Sequence, residues 1–465
     1  MIILGTNSIK DTGYEVANSI RFNDGSSDSF NRTPSSAGST RLATFSFWLK
    51  RGHFGITPYV YMVKDGSNNQ FGMHIDSNDK LVCFHYNGSS YDFSLTSTSQ
   101  FRDPSAWYHF VIKIDTANGT AIERLKLFVN GVYDPWNTTI SQNFDGIFLK
   151  DASTYIGSST TPHAHYDGYF AEYVVIDGTA LEPTSFGEFD EDSPTIWKPI
   201  DVSGLTFGTN GFYLDFEDSS SLGNDAAGSN NFSVNNLTAV DQSTDTCTNN
   251  FCTMNPLDNY WQGSTFANGN NTVTTVASKE NYNTSTLAIP SNDAGKYYCE
   301  VKIVSASAYS QIGLADKLTT SATDNFKNHA YGYAYDGATG NILNNDSGSS
   351  YGNSYTTDDI IGIAVDTDNN KLYFSKNGTF QNSGDPTSGA TGTGAISLSA
   401  TTTNGYYMFA SGTRHNDSLQ VSWNFGSPPF AISSGNTDGN GYGNFEYAVP
   451  SGYYSLNTKN LSEYG

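Results

Sequence analysis

The sequence predicts an all-β protein made of two antiparallel β-sandwiches in tandem. Of its 465 residues 14% are aromatic and only 15% are charged, and aromatic and β-branched residues favour strands over helices. Polar and apolar residues alternate over short runs, as they do in strands with one buried face. Asn-Gly and Asp-Gly turns separate these runs at short intervals, which is typical of an antiparallel sandwich.

The first series of strands occupies residues 43 to 176. Ala43–Leu49 alternates polar and apolar residues and is predicted to bury one face. Asn87-Gly88 and Asn130-Gly131 each follow a strand-like run, and such dipeptides favour hairpin turns. The predicted strands of this series are 43–49, 81–86, 107–115, 125–130, 154–157 and 169–176.

A second series of strands begins near residue 259. Tyr331, Tyr333 and Tyr335 alternate within it, so they are predicted to share one face of a strand as core or sheet-surface residues. The predicted strands of this series are 271–276, 284–289, 295–303, 311–314, 331–335, 359–366, 371–375, 406–410 and 418–425.

The composition between the two series predicts the domain organisation. Residues 200–258 are rich in Gly, Asn, Asp and Ser, and we expect a connector that single aromatic residues hold in place, with a short strand at 211–216. The predicted domains are a sandwich at 1–199, the connector at 200–258, a second sandwich at 259–428 and a tail at 429–465 packed on the second sandwich.

The charge balance excludes several classes of function. The formal net charge is −23, whereas nucleic-acid binders concentrate Lys and Arg, so we expect no nucleic acid and no anionic membrane among the partners. No apolar run approaches the about 20 residues of a membrane-spanning helix, and the first four residues do not resemble a signal peptide. Four cysteines in so long a chain do not form a disulfide scaffold.

Two resemblances rest on short motifs in each half of the chain. Phe45-Ser-Phe-Trp-Leu-Lys-Arg51, Leu127-Phe-Val-Asn-Gly131 and Asp167-Gly-Tyr-Phe-Ala-Glu172 resemble the laminin G or concanavalin A-like jelly roll, over roughly residues 15 to 190. Gly295-Lys-Tyr-Tyr-Cys-Glu-Val301 and the stretch from Asp366 to Gly378 resemble a SPRY sandwich, over roughly residues 260 to 428. These resemblances imply a jelly roll followed by a SPRY-like sandwich.

The combination of the two sandwiches is similar to fibre proteins of tailed bacteriophages, especially marine ones. The chain departs from that pattern at Cys247 and Cys252, where Pro and Ala are expected, and a bridge between these two cysteines stays open. The resemblance implies a protein on the virion surface that is synthesised in the host bacterial cytoplasm. The segments that carry it are 19–27, 176–181, 208–216, 245–251, 254–257 and 452–461.

Motifs for catalysis and metal binding are weak. Glu188-Phe-Asp-Glu-Asp192 lacks the closing Glu of a glucanase motif, in which two carboxylates lie about 5 Å apart. His163-Ala-His165 with Asp167 has suitable chemistry for a metal but no further ligand nearby, and we expect exposed loop histidines. Asp366–Asn370 is similar to the start of a calcium-binding loop, but Lys371 and Asn377 stand where that loop requires Gly and Glu. We therefore expect a turn between two strands.

Exposed loop aromatics with polar neighbours are the candidates for carbohydrate binding. Aromatic faces suit the apolar faces of sugars, and a few polar groups suit their hydroxyls. The candidate glycan-binding residues are Tyr59, Tyr61, Trp136, His163, His165, Tyr166, Tyr260 and Trp261. We expect no metal site and no cofactor, although a loop-bound calcium ion without an identified ligand set stays open.

Three hypotheses for function follow. The first is a non-enzymatic phage fibre protein that recognises a host surface polysaccharide, with several copies raising weak affinities through avidity. The second is a structural or decoration protein of the capsid or tail, and the third is a glycan depolymerase. The expected partners are other virion proteins and host polysaccharide, and fibre analogy implies a homo-oligomer such as a trimer.

Overall fold

The computed structural model describes residues 13–66, 68–159, 164–261, 263–277, 280–292, 295–414 and 417–464. These residues divide into two compact units, 13–248 and 249–464. Each unit contains two large sheets, antiparallel except for one short parallel pair in the second unit, which confirms the predicted all-β class and tandem sandwiches. Thr458–Tyr464 (α1) is the only α-helix within the described ranges, and no described helix is long and apolar enough to cross a membrane.

The first unit is a sandwich of two sheets with a small hairpin. One sheet has the order β10-β9-β8-β3-β12-β1-β17 with β15 also paired to β12, and the other has the order β16-β2-β11-β4-β5-β6-β7. The strands are β1 (Ser19–Phe22), β2 (Ser29–Arg32), β3 (Leu42–Arg51), β4 (Tyr59–Asp65), β5 (Asn69–Ile75), β6 (Leu81–Asn87), β7 (Tyr91–Thr96), β8 (Trp107–Asp115), β9 (Leu125–Val129), β10 (Val132–Asp134), β11 (Ser153–Ile156), β12 (Gly168–Asp177), β13 (Gly187–Phe189), β14 (Trp197–Pro199), β15 (Phe212–Leu214), β16 (Ser233–Asn235) and β17 (Gln242–Ser243). We call the sheet with β3 the central sheet and the sheet with β5 the outer sheet.

The predicted hairpins form in the first unit. Asn130 and Gly131 have φ of 48° and 76° between β9 and β10, which is the geometry of a type I′ turn. The hairpin at Asn87-Gly88 also forms, with a longer loop because β7 begins at Tyr91.

The segment expected to be a connector contributes strands to the first unit. Phe212–Leu214 pairs with β12, Ser233–Asn235 with β2, and Gln242–Ser243 with β1. The rings of Phe212, Phe216 and Phe232 lie in the core of this unit. The residues from 249 onwards belong to the second unit, so the stretch 200–258 is divided between the two units.

The central sheet is buried on both faces, unlike the one-sided burial predicted for Ala43–Leu49. Every residue of β12 is buried, as is every residue of β3 after Leu42. One face packs against the outer sheet in the core of the unit. The opposite face is covered by apolar clusters that include Trp197 and Val202. The polar residues of β3 are therefore buried instead of facing solvent.

Buried polar side chains of this covered face find specific partners. Lys50 Nζ forms an ion pair of 2.6 Å with Asp245, whose other oxygen accepts a hydrogen bond of 3.1 Å from Trp107 Nε1. Trp197 Nε1 donates to His109 Nδ1 at 2.8 Å, so His109 Nε2 carries the hydrogen and faces Ser46 Oγ at 2.8 Å. Burial lowers the pKa of His109 to about 3, and the ring is neutral.

Tyr61 and Tyr166, predicted to contact glycan, are core residues instead. Tyr61 is 1% exposed and donates from its hydroxyl to the Phe148 carbonyl at 3.2 Å. Tyr166 is fully buried, stacks on Phe170 with ring centroids 4.4 Å apart, and donates to the Lys50 carbonyl at 2.8 Å. Both side chains are large enough to fill the sandwich while their hydroxyls are satisfied by backbone.

The second unit is also a sandwich. One sheet has the order β18-β19-β32-β22-β27-β28-β29, with β30 paired to β28 and β33 to β22, and the other has the order β20-β31-β23-β24-β25-β26 with β21 paired to β31. The strands are β18 (Thr265–Ala267), β19 (Thr272–Thr274), β20 (Asn281–Thr284), β21 (Ile289–Pro290), β22 (Lys296–Ser305), β23 (Ser310–Ala315), β24 (Tyr333–Asp336), β25 (Asn341–Asn344), β26 (Ser347–Ser350), β27 (Ile360–Asp366), β28 (Lys371–Lys376), β29 (Thr379–Phe380), β30 (Ile396–Ser397), β31 (Tyr406–Thr413), β32 (Gln420–Asn424) and β33 (Tyr454–Ser455).

Several predictions for the second unit are confirmed, and one strand is displaced. β27 ends at Asp366 and pairs with β28 from Lys371, so Asp366–Asn370 is a turn. Tyr333 and Tyr335 lie in the core. The strand predicted at 284–289 is replaced by the two short strands β20 and β21.

Short 3₁₀ segments connect strands in both units. They are Asp24–Ser26, Ala121–Glu123, Pro183–Ser185, Ala239–Asp241, Phe326–Asn328, Gln381–Ser383 and Pro386–Thr391.

A buried carboxylate anchors the C-terminal segment of the second unit. Glu300 on β22 accepts hydrogen bonds from the backbone amides of Glu446 and Tyr447, at 2.9 and 2.7 Å, and from Asn424 Nδ2 at 3.1 Å. Burial raises the pKa of Glu300 from 4.5 to about 7, because the charged form loses its hydration. This carboxylate therefore fixes the path of the chain after β32.

We predict that Asp245→Ala destabilises the first unit by roughly 3–5 kcal/mol, since it removes the carboxylate that pairs with the buried ammonium group of Lys50. Urea denaturation followed by tryptophan fluorescence measures this change. Asp218→Ala is the matched control, because Asp218 lies on the surface and bonds only nearby serines. Equal stability of the two variants would contradict the buried ion pair.

We predict that Glu300→Gln flattens the pH dependence of the second unit's stability. The pKa of the Glu300 carboxyl group is higher in the folded than in the unfolded state. Its contribution to the free energy of unfolding is therefore complete below the unfolded pKa of 4.5 and is lost as the pH rises through the folded pKa of about 7. At acidic pH the variant is less stable than the parent, because the side-chain nitrogen of the new glutamine cannot accept the hydrogen bond of a backbone amide. This difference in stability shrinks as the pH rises. Thermal denaturation across this range measures it; a constant difference would contradict the prediction.

Candidate functional site

The structure separates the predicted glycan-binding residues into distinct environments. Tyr61 and Tyr166 are in the core, as described above, and His163 lies outside the described residues. Trp136 is partly buried and packs against the core of the first unit. His165 is partly buried, with Nδ1 3.3 Å from the Asp28 carbonyl oxygen. These residues do not form a common surface.

Tyr260 and Trp261 are exposed residues of the second unit. Tyr260 is 86% exposed and Trp261 41% exposed, and their rings meet edge to face with centroids 4.9 Å apart. Leu257 and Leu318 are also exposed. Strand β20 connects the loop that carries Tyr260 with the loop that carries Leu318, because Tyr282 donates to the Lys317 carbonyl and Thr284, two residues further along the strand, donates to Asp258.

Tyr59 belongs to a group of rings on the solvent side of the outer sheet. We call this group the aromatic face. Its rings form a cluster across four strands, with centroid separations of 5.2 Å for Tyr59–His74, 5.6 Å for His74–Phe84, 6.3 Å for Tyr59–Phe84 and 5.8 Å for Phe84–Tyr91. Tyr86 lies 5.2 Å from Tyr91, which it faces in the strand register. The aromatic face thus comprises Tyr59, His74, Phe84, Tyr86 and Tyr91.

The exposure of these rings differs, and the difference defines the shape of the face. Phe84 is buried, Tyr59, His74 and Tyr86 are half-buried, and Tyr91 is 63% exposed. Phe84 lies over Gly72 of the neighbouring strand, where a Cβ atom would approach its ring to 2.9 Å. Gly72 therefore allows Phe84 to lie close to the sheet, as the floor beneath the more exposed rings.

A β-bulge turns Tyr59 toward the aromatic face. Tyr59 pairs with His74 but Tyr61 pairs with Met73, so the register shifts between these two tyrosines. Residues two apart in a regular strand share a face, and the bulge cancels that relation. Tyr59 consequently points outward while Tyr61 enters the core.

The rings of the aromatic face carry no charge near neutral pH. Burial lowers the pKa of His74 to about 4, so its imidazole is uncharged near neutral pH. Burial also raises the pKa of Tyr59, whose hydroxyl stays protonated. The rings therefore offer apolar surface with hydroxyl groups and no ionised group of their own.

Four of the five rings were not among the residues selected from the sequence. The signals were present: Phe84 and Tyr86 are two apart in a strand, and Asn87-Gly88 predicts a partner strand that brings Tyr91 opposite Tyr86. Aromatic residues in loops were predicted to bind glycan, whereas the rings of the aromatic face lie on strands.

The motifs considered for catalysis do not converge into a site. Glu188 lies in the hairpin β13–β14, where Lys198 Nζ lies 3.5 Å from Glu188 and 3.2 Å from Asp190. Asp167 is buried, and burial raises its pKa to about 8. Within the described ranges, no three His, Cys, Asp or Glu side chains are arranged to hold a metal ion. All four cysteines are free thiols, including Cys247 and Cys252.

Comparisons with known proteins agree with the two sandwiches. Residues 24–185 match the family model of the concanavalin A-like lectin/glucanases superfamily, and residues 296–401 match the model of the SPRY domain. Ran-binding protein 9 of Danio rerio is 37% identical over 87 residues, which are 18% of this chain and 14% of that protein. Ran-binding protein 9 of Homo sapiens is 38% identical over 87 residues, which are 18% and 12%. The chain thus spans only a small part of the curated relatives that it matches.

Solved structures show weaker similarity. The SPRY domain of human HERC1 has a TM-score of 0.29 at 15% identity, covering 37% of this chain and 96% of that domain. The heptameric SAP-like pentraxin of Limulus polyphemus has a TM-score of 0.28 at 15% identity, covering 36% and 79%. On the matches of the two family models, the chain carries a concanavalin A-like domain followed by a SPRY domain.

Proposed function

We propose that this chain is a non-enzymatic glycan-binding protein and that the aromatic face of its first unit is the binding surface. The observation that carries the proposal is the continuous group of five rings, Tyr59, His74, Phe84, Tyr86 and Tyr91, on the outward side of one sheet. Tyr91 is well exposed and Tyr59, His74 and Tyr86 are half-exposed around the buried Phe84, and apolar groups that reach solvent side by side are typical of interaction sites.

The chemistry of the face suits sugars. A pyranose ring has an apolar C–H face that an aromatic ring can cover, which removes apolar surface from water. The tyrosine hydroxyls and the nearby Gln70 amide can exchange hydrogen bonds with sugar hydroxyls. Because the rings stand on paired strands, little conformational entropy is lost on binding.

We further propose that the glycan is a host cell-surface polysaccharide and that the chain is a phage virion fibre protein. Support comes from the similarity of segments such as Ser19–Ser27 and Gly208–Phe216 to fibre proteins of tailed bacteriophages. In this proposal the protein is made in the host cytoplasm, assembles with other virion proteins as a homo-oligomer, and acts on the virion surface. Several copies on one particle raise the avidity of shallow sites by orders of magnitude.

A second candidate function is a structural or decoration role in the virion through a protein partner. It is favoured by the exposed residues of the second unit, Leu257, Tyr260, Trp261 and Leu318. Exposed apolar residues close together mark protein interaction sites as readily as glycan sites. A glycan depolymerase, the third hypothesis, would require a pair of catalytic carboxylates, and the motif at Glu188 supplies none.

The test is binding of the full chain to surface polysaccharide purified from a panel of bacterial strains. We predict that the chain binds polysaccharide from some strains and that Tyr91→Ala weakens this binding at least tenfold, or about 1.4 kcal/mol. Tyr91 is so exposed that the substitution leaves the thermal stability nearly unchanged. Isothermal titration calorimetry measures both affinities.

Tyr133→Ala is the matched control, because Tyr133 is an exposed tyrosine on β10 of the other sheet. It should bind as the parent does. Absence of binding to any polysaccharide, or equal loss in both variants, would overturn the proposal.

Loss of particle assembly on Trp261→Ala, with glycan binding absent, would favour the structural role. Release of reducing ends over time would contradict the non-enzymatic assignment.

A further inference from the structure

Three ionisable side chains of the second unit meet at the segment between β23 and β24. His329 Nε2 lies 2.7 Å from Asp324 Oδ1, and His329 Nδ1 lies 3.4 Å from Asp316 Oδ1. His329 is 8% exposed and Asp316 is 1% exposed. An imidazole ring carries a hydrogen on both nitrogens only when it is protonated, so a carboxylate beside each nitrogen favours the imidazolium form. We call these three residues the His329 cluster.

The His329 cluster joins two carboxylates that are each fixed by a second contact. The other oxygen of Asp316 accepts a hydrogen bond of 2.6 Å from Thr403 Oγ1. The other oxygen of Asp324 accepts hydrogen bonds from the backbone amide and the hydroxyl of Thr320, at 3.0 and 2.8 Å. His329 is therefore the link between two anchored groups.

The segment that the cluster holds has little regular structure. Residues 316–332 are all described, and they contain a single short 3₁₀ element, Phe326–Asn328. The segment packs against Tyr282 of β20, whose hydroxyl donates to the Lys317 carbonyl at 3.0 Å and whose ring lies 5.8 Å from the His329 ring. It also carries Leu318, which is 44% exposed. Loss of the cluster would therefore loosen a segment that shapes the exposed apolar surface of this unit.

The remaining titratable side chains near the ring come from its own segment, from β20 and from adjoining loops, and they are Lys317, Lys327, Tyr282, Asp258 and Asp346. Lys317 opposes the positive charge of the ring, whereas Lys327 pairs with Asp346 at 2.7 Å. Burial raises the pKa of Tyr282, which keeps its proton. Burial also raises the pKa of Asp258 to about 6, so this carboxyl group is a second group that titrates near neutral pH.

We propose that the His329 cluster is a pH-sensitive clasp that holds the segment 316–332 in place while His329 is protonated and frees it as the pH rises. The inference goes beyond the proposed glycan-binding function and does not depend on it. Release of the segment changes the position of Leu318, so the surface that the second unit presents depends on pH.

The direction of this dependence follows from the contacts of the ring. Burial lowers the pKa of His329, but the contacts with Asp316 and Asp324 raise it more, so that it lies above the usual 6.5. The contribution of the imidazolium to the stability of the segment is therefore complete below the unfolded pKa of 6.5, and it is lost as the pH rises through the higher folded pKa. Despite their burial, the hydrogen bonds of Asp316 and Asp324 lower the pKa of both carboxyl groups below 3.8, so both stay charged over this range.

The clasp is tested by the hydrogen exchange of the full chain from about pH 5.5 to about pH 9, with rates corrected for the intrinsic effect of pH on exchange. We expect the protection factors of peptides within residues 316–332 to fall by roughly threefold or more over this range. Peptides within β27 should keep their protection, which shows that the unit stays folded. Constant protection of residues 316–332 in the parent would overturn the proposal.

Two variants assign the effect to the cluster. His329→Gln cannot carry a charge, so the protection of residues 316–332 should be low at acidic pH and should no longer depend on pH. Asp324→Asn leaves one carboxylate beside the ring, so the loss of protection should begin at lower pH than in the parent. His53→Gln is the matched control, because His53 pairs with a single carboxylate, Asp24, at 2.8 Å in the first unit. It should leave the pH profile of residues 316–332 unchanged.

The variants also separate the clasp from the other titrating group. A loss of protection that persists in His329→Gln would assign the effect to another group, such as Asp258, and would overturn the proposal. If β27 loses its protection in His329→Gln, the unit does not fold in that variant and the comparison of Asp324→Asn with the parent decides. An unchanged profile in Asp324→Asn would then overturn the proposal.

Discussion

Burial of the central sheet on both faces is the constraint on which the rest of the first unit depends. Strands β3 and β12 lie between the core and a second apolar layer that contains Trp197. The ion pair of Lys50 with Asp245 and the neutral His109 satisfy the polar groups that this double burial removes from water. A sheet covered in this way offers no broad face to a ligand, and the surface that we propose for binding lies on the solvent side of the outer sheet.

Two small local features of the outer sheet give it the aromatic face. The bulge between Tyr59 and Tyr61 sends one tyrosine outward and the other inward, and Gly72 makes room for Phe84 beneath its neighbours. Paired strands keep the rings at fixed separations, unlike loops, which rearrange on binding. The second unit presents a different kind of surface, in which Tyr260 and Trp261 project from a loop. The two units therefore offer aromatic surfaces built on different elements, strands in the first unit and a loop in the second.

Much of the architecture could be predicted from sequence because it rests on local rules. The turn at Asn130-Gly131 and the turn between Asp366 and Lys371 follow from turn chemistry and strand periodicity. The second layer over β3 could not be predicted, because it is formed by residues near 197 and 245 that are distant in sequence. Tyr59 and Tyr61 could not be separated either, since a bulge changes the side of one residue without a signal in the sequence. The strand predicted at 211–216 forms as β15, but β16 and β17 pair only with strands distant in sequence, so the Gly- and Asn-rich composition around them indicated a connector.

Hydrogen exchange of the full chain, measured by mass spectrometry with and without a bound surface polysaccharide, tests whether the aromatic face is the binding surface. We expect slower exchange in peptides that cover residues 69–96, where the strands of His74, Phe84 and Tyr91 lie. Peptides that cover residues 255–261 should exchange as in the free protein. Protection confined to that loop, or protection that leaves residues 69–96 unchanged, would contradict the assignment of the aromatic face as the binding surface.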